Sequence, residues 1–285
     1  GLEKLRTKLH EYNGIHKGET GYIVGTSPYL NNLTQRDIQF LKGKPSIGVN
    51  LAYEGANWIS YAISAHIANA VYLFEYCNKE IPIFVDYNNV EKKRAFSYMD
   101  NLFWNQDRVV HFSADPKGPL DKFKSETDIS LKGDTSILLL ATHLAYIMGF
   151  QNIVYIGFDE TSASHYWDEN LELKNKIRKG LSDIVESKKY CNGGSYNPAS
   201  LWDVHHSVHG EIEWLLGRLP ALPNITFGSP EEKANRSFGN HSAMNVALFS
   251  QYVKFLNDNG VGTYTLSDTG ITLQSGCSKL DSLDL

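Results

Sequence analysis

The chain has 285 residues, of which 42% are hydrophobic, enough to bury a large core within one domain or two. Its formal net charge of −5 lacks the basic excess of a protein that grips a phosphate backbone, so no nucleic-acid partner is expected. The three cysteines, Cys77, Cys191 and Cys277, are widely spaced with no CxxC pattern, as in a reducing compartment.

The N-terminal residues 2–13, LEKLRTKLHEYN, are charged and helix-periodic and lack the apolar core of a signal peptide, which points to the cytoplasm. From Gly21 onward, short apolar strands alternate with helical segments, the pattern of a parallel α/β sheet. Strands are predicted at 22–24, 46–49, 60–63, 83–85, 109–112, 153–156 and 262–266. Helices are predicted at 34–41, 67–76, 90–99, 135–148 and 242–257. The expected fold is a single Rossmann-like domain over residues 1–285, with a mainly parallel sheet flanked by helices. Residues 160–240 are more polar and richer in Gly, Asn and Ser, and read as a helical lid inserted within it. The longest apolar stretch, 136–150, is interrupted by Thr142 and His143 and is shorter than the ~20 residues of a membrane span.

The most informative block runs from Thr135 to Asp159 and reads as a helix, a turn and a buried strand. Thr135 and Ser136 offer hydroxyls that can cap a helix or meet an anion at its N-terminus. Gly149 stands where a helix-ending glycine belongs, and Ile153 to Ile156 is an apolar run without alternation, as in a strand covered on both faces. Gly157 permits close backbone approach to a ligand, and Asp159 follows at the strand end. The first strand ends in GYIVGTSPYL, which places Gly25, Thr26, Ser27 and Pro28 at the same edge. Asn50, after SIGV, is read either as an amide that contacts a base or ribose or as a turn former.

These segments, with PIFVDYNN and the C-terminal NHSAMNVALFSQYVKFLNDNGVGTYTLSDTG, resemble the bacterial sialyltransferases of glycosyltransferase family 42. They are also similar to the wider superfamily of motility accessory factors and hydroxymethylpterin diphosphokinases. The resemblance implies a nucleotide held by Gly25, Thr26, Ser27, Asn50, Thr135, Ser136 and Gly157. It implies a leaving phosphate met by Tyr166, and a catalytic histidine at His241 beside Ser242. Thr26 stands where that family usually has Asn, and Ile137 replaces a Gly after the TS pair, which bears on cytidine specificity.

Imidazole titrates near neutrality, so His241 suits a general base that deprotonates an acceptor hydroxyl; it also suits a helix entrance capped with Asn240. His205, His206 and His209 read as a polar lid helix or as a metal-binding cluster. Asp86, Asp159 and Glu160 are the carboxylates a Mg²⁺-dependent diphosphokinase would use. The chain has no DxD motif, which favours a transferase that needs no metal or other cofactor. The expected activity is transfer of a sugar from a CMP-type donor to a glycan or another hydroxyl acceptor. The alternatives are an ATP/Mg²⁺-dependent diphosphokinase and a nucleotide-binding module without catalysis. A homo-oligomer, and a place at the inner face of a membrane without a span, are compatible with each.

Overall fold

The computed structural model describes residues 8–77, 80–86, 100–115, 120–121, 128–133, 136–158, 165–190, 208–216 and 242–283. The strands are β1 (Thr20–Val24), β2 (Ser46–Val49), β3 (Tyr61–Ser64), β4 (Ile83–Asp86), β5 (Val109–Asp115), β6 (Ser130–Lys132), β7 (Asn152–Ile156), β8 (Gly262–Thr265) and β9 (Ser278–Lys279). They form one nine-stranded sheet in the order β6-β5-β4-β3-β2-β1-β7-β8-β9. Every neighbouring pair in it is parallel. The described helices are α1 (Gln35–Leu41), α2 (Ile67–Tyr76), α3 (Ile137–Met148), α4 (Leu171–Glu186), α5 (Val208–Leu215), α6 (Ser242–Asp258) and α7 (Ile271–Gln274).

Strand side chains alternate between two cores, one on each face of the sheet. Tyr22, Val24, Ile83, Val85, Val154 and Ile156 join α2, α4 and α5 on one face. Ile23, Ile47, Ile63, Phe84, Ile153 and Tyr155 join α3 and α6 on the other. Burial on both faces is why these strands are apolar runs rather than alternating ones.

Helix α3 is apolar almost all round because it is enclosed almost all round, with Leu138 to Ala145 and both Ile147 and Met148 buried. It stops at Gly149, which takes the left-handed conformation at φ 88°. Its last carbonyls are then satisfied from the N-terminal segment: Gly14 N donates to Ile147, His16 N to Met148 and Gly18 N to Gly149. His16 also stacks on Phe150 at 5.0 Å, so this segment closes the α3–β7 turn.

Two polar side chains interrupt the apolar run of α3, and each is matched. The Thr142 hydroxyl lies 2.8 Å from the Leu138 carbonyl and 2.9 Å from the Tyr155 hydroxyl, tying the helix to β7. His143 accepts from the Lys132 amide at Nδ1 (2.7 Å) and donates from Nε2 to the Asp121 carbonyl (2.8 Å). That pattern requires a neutral ring.

The strands and helices expected from sequence are present within one to three residues at their described ends, except the helix at 90–99, which lies outside the described residues. The short strands β6 and β9 and the helix α7 are additions to that expectation. Within the insertion, α4 and α5 pack against α2 and share its core, so these helices form part of the helical layer.

Burial lowers the pKa of His143 and pushes that of His111, on β5, down to about 4. Free imidazole titrates near 6.5, so between these limits the unfolded chain binds more protons than the folded one. The resulting stability is complete above about pH 6.5 and is lost as pH falls toward the folded values. In calorimetry, Tm should therefore drop between pH 6.5 and 5, above the range where ordinary carboxylates titrate, and His111→Gln should shrink that drop. An equal slope in the variant would remove His111 from the account.

Candidate functional site

Strand β1 connects to β2 on one side, β7 connects to β8 on the other, and β1 and β7 are neighbours paired from Thr20↔Asn152 to Val24↔Ile156. The chain thus reverses its winding between them, and in open parallel sheets ligands bind outside the strand C-termini at that point. The two strands end in Gly25 and Gly157, whose backbones touch. Gly25 N donates to the Ile156 carbonyl (2.7 Å) and Ser27 N to the Gly157 carbonyl (3.2 Å). A Cβ on Gly25 would overlap the Gly157 carbonyl oxygen. Gly157 itself sits at φ 78°, a conformation that disfavours any side chain, with Leu30 3.2 Å from where its Cβ would stand. Phe158 is buried against this junction, edge-on to Tyr155. Among the described residues, the amides of Thr26 and Gly157 have no acceptor. Two open N–H groups on adjacent loops are suited to receive an anionic oxygen.

The remaining predicted residues fall into distinct places. Ser27 accepts from Tyr29 N (3.3 Å) and caps a 3-10 turn, Pro28–Asn32, whose first position Pro28 fills. Asn50 has φ 50°, its amide donates to the Ile63 carbonyl (2.9 Å), and its Oδ1 lies 3.1 Å from the Ser64 hydroxyl. This is a turn-forming Asn in the left-handed region, held by the end of β3. Ser136 is the N-cap of α3 in backbone geometry, but its hydroxyl makes no capping bond. The structure thus joins Gly25, Thr26, Ser27 and Gly157 directly and leaves Asn50 and Ser136 on separate elements of the sheet and its helical layer.

The insertion enters across these loops. His165 precedes a 3-10 turn, Tyr166–Glu169, in which Tyr166 N donates to the Thr26 carbonyl (2.9 Å). Asn31 Nδ2 donates to the Tyr166 carbonyl (3.0 Å) and to Glu169 (2.9 Å). The Tyr166 side chain is 1% exposed, lies against Gly55, and donates its hydroxyl to the Leu51 carbonyl at 2.6 Å. Burial and the neighbouring Glu54 raise its pKa far above the usual tyrosine value. Its hydroxyl is committed to the loop after β2, so contact with a leaving phosphate would require that bond to break.

Thr135, Asp159 and His241 lie outside the described residues, as do Glu160, His205 and His206. His209 is on α5, 3.8 Å from Glu213, with its pKa lowered by burial. Among the described residues no group of three His, Cys, Asp or Glu side chains is placed to hold a metal ion. Asp86 is 7% exposed and accepts from the Ala114 amide (3.1 Å), which makes it a tie between β4 and β5. Sequence reasoning passed over Phe158 and His165. The signal for His165 was its position three residues before Asp168, the spacing of a reciprocal cap.

No protein-family model matches the chain, and no curated protein matches it.

The junction makes a sharp prediction. Gly25→Ala forces a methyl group into the Gly157 carbonyl and should cost about 1–3 kcal/mol in urea unfolding, the usual range for overpacking. A variant as stable as the parent would mean that the two loops do not touch.

Proposed function

We propose that the chain binds a nucleotide at the β1/β7 junction and uses a nucleotide-sugar as donor for glycosyl transfer to a hydroxyl acceptor, without a metal. The observation that carries the reading is the meeting of Gly25 and Gly157 where the winding reverses, with the Thr26 and Gly157 amides at the sheet's C-terminal edge lacking an acceptor among the described residues. Backbone N–H groups there would face the donor's phosphate oxygens and stabilise the charge that grows as the sugar departs. The resemblance to family 42 sialyltransferases supports a CMP-type donor and His241 as general base. In that mechanism the acceptor oxygen attacks the anomeric carbon as His241 takes its proton. The bond from that carbon to the phosphate oxygen breaks, and the nucleotide leaves with the electron pair. A contact of Tyr166 with the departing phosphate, which the same resemblance implies, would require its hydroxyl to leave the Leu51 carbonyl.

The test is a thermal-shift panel of CMP, CDP, UDP, GDP and ATP, with and without Mg²⁺, on the parent and on His241→Ala. Ligand at about 100 times its Kd stabilises the fold by about 2.7 kcal/mol, a rise of several degrees. A cytidine nucleotide should raise Tm in both proteins without Mg²⁺, while His241→Ala lowers transfer by about two decades or more. A shift by ATP that requires Mg²⁺ would support a diphosphokinase instead, and no shift by any nucleotide would end the nucleotide reading.

A further inference from the structure

The three consecutive aromatic residues His165, Tyr166 and Trp167 divide between inside and outside. Tyr166 is buried, whereas His165 is exposed and Trp167 half-buried. The two flanking rings stack on each other with centroids 4.2 Å apart and planes 27° from parallel. His165 Nδ1 lies 3.2 Å from the Thr26 hydroxyl, in the loop that follows β1. The imidazole therefore stands beside the junction of β1 and β7, held by a hydrogen bond at one edge and by an indole on one face.

Capping does not account for an imidazole at this position. His165 is the N-cap of the turn at 166–169, where its carbonyl accepts from the Asp168 amide (2.9 Å) and Asp168 Oδ2 accepts from the His165 amide (2.9 Å). Ser, Thr, Asp and Asn serve as N-caps with less bulk, and their shorter side chains are the preferred ones. What histidine adds is a flat aromatic ring, and Trp167 extends it. A pair of aromatic rings fixed in advance at the edge of a phosphate-binding loop is a stacking platform, because every nucleobase has a π-face and no side-chain entropy has to be lost when it binds.

Resting on the nucleotide reading above, we infer that the His165–Trp167 pair is the platform on which the heterocyclic base of the bound nucleotide stacks. The platform reads the ring face, so it confers preference for a nucleotide over a sugar phosphate and little choice among bases. Thr26 joins the two parts of the proposed site, because its amide has no acceptor among the described residues and its hydroxyl lies 3.2 Å from His165 Nδ1.

The decisive variant is His165→Ser, which keeps a strong N-cap and a hydroxyl while deleting the ring. Its Tm without ligand should match the parent's, which shows that the turn is intact. Affinities for CMP, AMP, ribose 5-phosphate and pyrophosphate are then measured by calorimetry on the full chain. CMP and AMP should each bind roughly tenfold or more weakly to the variant, the scale of one lost stacking contact, while ribose 5-phosphate and pyrophosphate are unchanged. Unchanged CMP and AMP affinity would overturn the platform and leave the nucleotide reading standing. An equal loss for all four ligands would overturn it too, since His165 would then act only by shaping the Thr26 loop. If the parent binds neither CMP nor AMP, the nucleotide reading itself fails and takes the platform with it.

Discussion

The structure depends on the contact between Gly25 and Gly157. Strands β2 to β6 lie on one side of β1, and β8 and β9 lie beyond β7, so the β1–β7 ladder is the seam that joins the two halves of the sheet. At its C-terminal end the seam continues through two loop bonds, Gly25 N to Ile156 O and Ser27 N to Gly157 O. These bonds draw two backbones closer than any side chain on Gly25 would permit. The same closeness brings together two loops whose Thr26 and Gly157 amides have no acceptor among the described residues, and the proposed site makes use of that packing constraint.

The insertion is built into this arrangement. Its first described turn is bonded to Thr26 and Asn31, and two carboxylates pin its described helices, α4 to the loop after β2 and α5 to α2. Glu54, with its side chain 3% exposed, accepts from Tyr72 (3.2 Å) and pairs with Lys176 of α4 (2.6 Å). Glu211 of α5 is 7% exposed and accepts from the Ala68 amide (2.9 Å) in the first turn of α2. A carboxylate buried at a helix N-terminus meets unpaired N–H groups and the positive end of the dipole, so its charge is compensated where it stands. Losing either partner would leave a buried charge uncompensated, which costs more than the pair itself contributes. Thr26 bonds the insertion to the loop that leaves the seam, its carbonyl accepting from Tyr166 N and its hydroxyl lying 3.2 Å from His165 Nδ1.

The architecture was largely legible in the sequence because strands covered on both faces are unbroken apolar runs, and Gly149 marked the end of α3. Strand β6 was not legible: Ser130, Leu131 and Lys132 form an edge strand with one buried residue, too short and polar to stand out. Strand β9 has two exposed residues and no pattern at all. At the site, Gly25 and Gly157 could each be read as loop glycines, but their mutual contact is fixed by sheet order, which spacing along the chain does not encode. Asn50 carried two readings in the sequence, and its left-handed backbone and its bond to Ser64 show that it forms a turn. Tyr166 was chosen for its hydroxyl, and what decided its place was the ring, which fills the space beside Gly55.

The account's central claim is that the β1/β7 junction is a nucleotide site, and backbone amide chemical shifts report on it directly. On titration with CMP, the amide resonances of Thr26 and Gly157 should shift most and those of Gly25 and Ser27 less, all four saturating along one binding curve. Shifts that saturate elsewhere in the chain while these four stay fixed would contradict the account.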